Sequence, residues 1–167
     1  MLDRILLIDP DKMLLKFLIN NKAFVTGSFL LSIIDSCMCK STWSAKYICI
    51  LVPVDNTSST EFNYKYFNKV QIDENTATYL SEKADLQVIF YKVIEPRHRL
   101  PLHYINSKSV VPFIKIVMSI VSPLIDYKLK SNHWTEIFTK KAYITSLTNE
   151  QQFKMFNSYG YQMICVK

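Results

Sequence analysis

Gly27 and Ser28 stand between two apolar runs, Phe24-Val25 before them and Phe29-Leu30-Leu31 after them. That pattern predicts a short buried strand, a tight turn and a helix. Glycine admits positive φ and close approach of the backbone. A turn that opens a helix presents N–H groups without intrahelical partners, and these can hold a phosphate. Gly27 is one of 2 glycines in 167 residues, so its position has a backbone reason. Chemistry on a bound phosphate also needs oxygen ligands for a hard cation such as Mg²⁺. Asp9 and Asp11 have the i, i+2 spacing that places two side chains on one strand face. Asp9-Pro10, however, reads as an N-cap followed by proline at the first helical position, and capping is preferred. Asp35 falls at a helix end, at the unfavourable pole of the dipole for an acid. Asp73-Glu74 reads as a solvated pair, Asp126 as a lone acid and Asp85 as a surface residue.

Other chemistries have less support. Cys37-Met38-Cys39 lacks the two-residue spacer of zinc sites, and no second ligand pair follows it. Three of the four cysteines, Cys37, Cys39, Cys49 and Cys165, sit in apolar runs and read as small buried hydrophobes in a reducing cytosol. Ser28 lacks the Gly-x-Ser-x-Gly elbow of a nucleophile. His98 lies in a basic loop, and His103 and His133 stand alone. Neither common glycine-rich phosphate loop is present. Arg97, Arg99, Lys128, Lys130, Lys140 and Lys141 could form one basic face for an acidic partner or nucleic acid. Tyr64, Tyr66 and Phe67 alternate with lysines, and such aromatics can stack on single-stranded bases. The preferred reading is a solvated face plus core aromatics, because no nucleic-acid motif accompanies them.

The elements that must position these groups alternate between helix and strand. A helix is predicted from Pro10 to about Asn20, with Ile8 and Met13 as a hydrophobic staple. A strand over Ala23–Val25 and a helix over Ser28–Ser36 follow. Lys46–Val52 reads as a buried strand, continuously apolar from Tyr47. Phe62–Val70 is ambiguous, Asn75–Glu82 reads as a helix and Leu86–Val93 as a strand. Leu102–Lys108 reads as a helical turn. Strands are predicted over Phe113–Val121, Ile125–Leu129 and Ala142–Thr145. Thr148-Asn149-Glu150-Gln151 matches a capping box, opening a helix that Gly160 closes. Tyr161–Val166 is a last apolar segment. The order favours one α+β or α/β domain over residues 1–167.

Composition sets the outer limits. With 49% hydrophobic and 20% charged residues, the chain suits one globular domain. The net charge of +6 is compatible with an acidic partner without establishing one. The apolar stretch from Val110 to Ile125 falls short of a membrane helix, so no membrane insertion is expected. No secretory signal is seen, and a cytoplasmic location is expected. Scarce glycine with abundant Ile, Lys, Asn, Tyr and Phe points to an A+T-rich genome.

Taken in order, the motifs resemble the nucleotidyltransferase-fold proteins encoded by large DNA viruses and some fungi. Thr26-Gly27-Ser28 with Leu31 is similar to the Gly-Ser turn that opens a helix in that family. Trp43 followed by Ile48-Cys49-Ile50-Leu51-Val52-Pro53 resembles its tryptophan and its strand with two aspartates. Leu86-Gln87-Val88-Ile89 is similar to a third motif, and Phe113 to the Phe-Asp strand. Lys154-Met155-Phe156 with Tyr159-Gly160-Tyr161 resembles the C-terminal helix end. The likeness spans roughly residues 10 to 165.

The resemblance implies an α+β fold with a mixed central β-sheet flanked by helices. It also implies that the two metal-holding positions fall on Tyr47 and Cys49, and the third on Ile114. A phenol, a thiol and an alkyl group do not hold Mg²⁺. The expectation is therefore a non-catalytic relative with no metal and no cofactor, whose Gly27-Ser28 turn is vestigial. Such a chain would act through a protein partner, as an accessory subunit of a larger assembly in the host cytoplasm or virion. The Tyr64-Tyr66-Phe67 segment is its candidate interface. Two alternatives stay open. One is an active metal-dependent nucleotidyltransferase with its carboxylates elsewhere, such as Asp9 or Asp11. The other is a basic nucleic-acid-binding accessory protein using the Arg97–Arg99 loop.

Overall fold

The computed structural model describes residues 5, 9–53, 67–72, 75–82, 85–94, 96, 98–106, 116–119, 127–129, 131–144 and 150–165. In chain order these form α1 (Met13–Asn20), β1 (Phe24–Thr26), α2 (Ser28–Cys39), β2 (Tyr47–Pro53), β3 (Phe67–Ile72), β4 (Thr76–Ser81) and β5 (Gln87–Val93). They continue as α3 (Leu100–Asn106), β6 (Ile116–Ser119), β7 (Tyr127–Leu129), α4 (Ser131–Thr139), β8 (Lys141–Ile144), α5 (Glu150–Ser158) and β9 (Gln162–Cys165).

Helix α1 starts later than the Asp-Pro pair predicts. Lys12 adopts left-handed backbone (φ 59), so the chain makes a separate turn, with Lys12 N donating to Asp9 O at 3.0 Å, before the helix begins. Asp9 still caps. Its buried carboxylate accepts from Leu14 N at 2.6 Å and, more weakly, from Leu15 N at 3.4 Å. Met13 is exposed, and Ile8, the partner expected for it in a staple, lies outside the described residues. At the other end Lys22 (φ 47) holds the left-handed position, with Lys22 N donating to Ile19 O and Ala23 N to Leu18 O. That pair of bonds is a Schellman closure, in which glycine is the usual occupant. Gly160 (φ 82) closes α5 the same way, as its sequence position predicts, with Tyr161 N donating to Phe156 O. Lys40 and Lys140 take left-handed backbone where α2 and α4 end.

Among the described residues seven strands form one mixed sheet in the order β3-β4-β5-β2-β1-β6-β7. Its central pair, β2 and β5, is parallel, with Cys49 opposite Ile89 and Leu51 opposite Tyr91. The remaining neighbours are antiparallel, including β1 with β2, where Thr26 faces Cys49. The architecture is thus α+β with a mixed sheet flanked by helices. The stretch predicted as a helix at 75–82 is strand β4. Its burial alternates strictly, Ala77, Tyr79 and Ser81 in, and Thr76, Thr78 and Leu80 further out. Threonines and a tyrosine favour that pleated surface, and pairing with β3 and β5 overrides any local helical preference. Helix α4 was unexpected, because Ser131–Thr139 mixes polar and aromatic residues without a clean apolar stripe.

One sheet face carries Val25, Ile48, Ile50, Val52, Ala77, Tyr79, Val88 and Phe90. Leu14 and Leu18 of α1 and Phe29 of α2 close over it. Full burial of each large apolar side chain here contributes about 2 kcal/mol. Phe90 sits edge-on between Phe17 and Tyr79. Phe67 joins this same core and is buried, so it is not available as the exposed interface its sequence context suggested. Tyr64 and Tyr66 lie outside the described residues. On the opposite face α3 packs over Phe24 and Leu51, through Leu100 and Tyr104, and lies against β6 and β7. A third cluster, around Leu31, Ile137, Ala142, Phe156 and Tyr161, binds α4, α5 and the two-stranded parallel β8–β9 ribbon to the outer side of α2. No helix among the described residues is long and apolar enough to cross a membrane.

Candidate functional site at the Gly27 turn

Gly27 links β1 to α2 with φ 78 and ψ −157, a conformation that side chains rarely adopt. A Cβ there would stand 3.4 Å from Cys49 Sγ on the adjoining strand. Close packing against β2 and backbone conformation therefore both favour glycine. Ser28 opens α2, and no side chain caps the helix.

Strand β2 runs beside this turn and alternates its side chains. Ile48 and Ile50 enter the main core, while Tyr47 and Cys49 face the other way. On that second face the strands align in rows. Leu80, Gln87 and Tyr47 form one row, and Thr78, Ile89, Cys49 and Thr26 the next. Thr76, Tyr91, Leu51 and Phe24 form the third, and Leu51 and Phe24 are the buried end beneath α3. Tyr47, Leu80 and Tyr91 are each more than a third exposed. The face is accordingly apolar and hydroxyl-bearing, and only part of it is covered.

Burial pushes the Cys49 thiol up to about 11, so it is protonated at neutral pH. Burial likewise holds the Tyr104 phenol well above its ordinary range, opposed by a hydrogen bond with the Thr26 side chain. Tyr91 is raised for the same reason, with Cys49 nearby. A protonated thiol is neither a nucleophile nor a ligand for a hard cation. Among the described residues no three His, Cys, Asp or Glu side chains converge as a metal site.

The other residues singled out in the sequence are dispersed. Ile114, Arg97 and Lys130 lie outside the described residues. Lys128 is on β7, Arg99 is exposed just before α3, and Lys141 is exposed on β8. Lys140 belongs to no solvated basic face. Its ammonium pairs with the fully buried Asp35 of α2 and donates to Ser41 Oγ at 2.9 Å. Asp35 also accepts from Trp43 Nε1 at 2.6 Å. The acid expected at an unfavourable helix end is therefore a buried hub, with charge compensation offsetting both the dipole and desolvation. Its partner is 105 residues away in sequence, and no spacing rule could have found it. Asp9 is occupied in capping and Asp11 is exposed, so the pair does not form a carboxylate site. The cysteines were expected to be buried, but among the described residues Cys37 is exposed on the last turn of α2, and Cys39 and Cys49 are only half-buried.

Tyr159, at the end of α5, comes within hydrogen-bonding reach of the Ser28 side chain and lies near Tyr47. Its ring stacks on Trp43 at 3.8 Å between centroids, with the planes 11° apart. Sequence motifs at the two ends of the chain thus meet at the Gly27 turn. The chain matches no protein-family model, no curated protein and no solved structure.

Proposed function

We propose that this chain is a non-catalytic binding subunit, built on a nucleotidyltransferase-like scaffold and acting through protein–protein contacts. One observation carries the reading: beside the Gly27 turn, β2 presents a phenol at Tyr47 and a protonated thiol at Cys49. Nucleotidyl transfer by metal ions would need carboxylates in such a place, to hold divalent cations against the phosphates. Replacing carboxylates by these groups also removes the cost of desolvating charge on a strand. The element order gives the scaffold part of the reading its support. A glycine turn opens α2, β2 follows, and β5 lies parallel to β2. The partly covered face bearing Tyr47, Leu80 and Tyr91 is the surface offered to a partner, since apolar groups left open together mark contact sites.

Thermal unfolding with and without millimolar nucleoside triphosphate and Mg²⁺ or Mn²⁺ tests this reading. A ligand that binds only the folded state raises the midpoint by mass action. The expected result is an unchanged midpoint with every nucleotide and metal. A metal-dependent rise would overturn the proposal and restore an active nucleotide site.

A further inference from the structure

Helices α4 and α5 and strands β8 and β9 make no strand pairing with the seven-stranded sheet among the described residues. They form a layer whose apolar cluster is shared with Leu31, Ile34 and Cys39 of α2 and with Trp43 in the loop at 40–45. The polar ties are local. Lys140 meets Asp35 and Ser41, and Cys39 Sγ lies 3.8 Å from Ile137 O. Beyond them, Tyr159 stacks on Trp43 and reaches Ser28 and Tyr47. The layer therefore sets one of its own rings over the first residue of α2.

We propose that this C-terminal layer is a latched cover over the Gly27–Ser28 turn, detaching as a unit while the seven-stranded sheet stays folded. The Asp35–Lys140 pair is the latch and Tyr159 is the part that covers. Detachment is favoured by how Asp35 is held. Trp43 belongs to the sheet side, so its indole N–H stays on the carboxylate when Lys140 leaves. Asp35 then also meets water, and Lys140, already a quarter exposed at 26%, completes its hydration. Units joined by few contacts open at lower free energy than the sheets they rest on. A closed layer partly covers Ser28 and flanks the exposed Tyr47, and an open one uncovers more of both. Any ligand or partner that contacts the bare turn would select the open form in proportion to its preference for it.

Cys39 reports the opening, because it is half-buried at the junction beside Ile137. The experiment uses the full chain with Cys37→Ser, so that Cys39 is the thiol followed at the end of α2. Its alkylation by iodoacetamide is timed alongside amide hydrogen exchange of β2 and β5. Lys140→Met is expected to accelerate Cys39 labelling at least about a hundredfold, the lower end for removing one partner of a buried pair. Exchange in β2 and β5 should stay unchanged. Equal acceleration of Cys39 labelling and sheet exchange would show one cooperative unit and overturn the proposal, as would no acceleration at all. Should Lys140→Met fail to fold, the chain with Lys140 intact is labelled through sub-denaturing urea. Cys39 labelling must then rise with a shallower urea dependence than exchange in β2 and β5, and equal slopes reject the cover.

Discussion

Glu136 gives the sharpest test of the packing around α4. It is 3% exposed, and burial pushes its carboxyl from the usual 4.5 up to about 7. The nearby Tyr161 phenol is also raised by burial, with Asp35, Cys39 and Glu136 adding to the effect. An acid whose folded pKa exceeds its unfolded value takes up protons on folding. Between pH 4.5 and 7 the unfolded chain therefore binds fewer protons than the folded one, and stability falls as pH rises. The penalty is absent below 4.5 and complete above 7. The distance between those values corresponds to about 3 kcal/mol. Glu136→Gln keeps the size and removes the titration. At pH 8 the variant should exceed the parent by up to about 3 kcal/mol, and at pH 4.5 the two should nearly coincide. Urea unfolding at steps from pH 4.5 to 8.5 reads the difference directly. In thermal unfolding it corresponds to roughly 6–12 °C for a chain of this size. A difference that stays level across the pH range would refute the reasoning, because burial would then not be acting on the charge.

Three further outcomes follow from the same structure. Gly27→Ala should destabilise by about 1–3 kcal/mol in urea unfolding, from forced positive φ and the crowded approach to Cys49 Sγ; a neutral effect would remove the conformational account of the turn. Phe90→Ala should cost about 3–5 kcal/mol in the same measurement, since Phe90 is 1% exposed between Phe17 and Tyr79. Iodoacetamide at pH 8 should modify exposed Cys37 well before Cys49, whose thiol lies at about 11; peptide mass analysis showing equal rates would contradict the half-buried, protonated state.

Much of the fold was legible from local patterns. The Gly-Ser turn, the continuous apolar run of β2, β5 before Pro96 and the Gly160 closure all rest on backbone or periodicity rules that act within a few residues. The failures have non-local causes. Strand β4 shows its period of two only when Tyr79 and Ala77 are known to pack against Phe90 and the main core. Helix α1 was displaced because Lys12 takes a left-handed turn that its residue type does not announce. Gly27, Ser28, Tyr47 and Cys49 were singled out from sequence, and the structure sets Gly27 against Cys49 and Tyr159 near both Ser28 and Tyr47. Asp35, Trp43, Lys140 and Tyr159 were not read as one group, because they meet only through tertiary packing. Phe67 was misjudged for the same reason: an aromatic without periodicity reads equally as a surface patch or as one side of a sheet.

Among the described residues four other than glycine hold positive φ, and all are lysines: Lys12, Lys22, Lys40 and Lys140. Three of them close helices, where a positive charge also suits the negative end of the dipole. In a chain with 2 glycines, lysine has taken over a conformational task that glycine performs elsewhere. The scarcity of glycine in the sequence thereby reaches the backbone itself. A counterpart of this chain richer in glycine is expected to carry Gly or Asn at positions 22 and 40. At position 140 it should keep a cation, because glycine there would free the turn and strand the charge of Asp35.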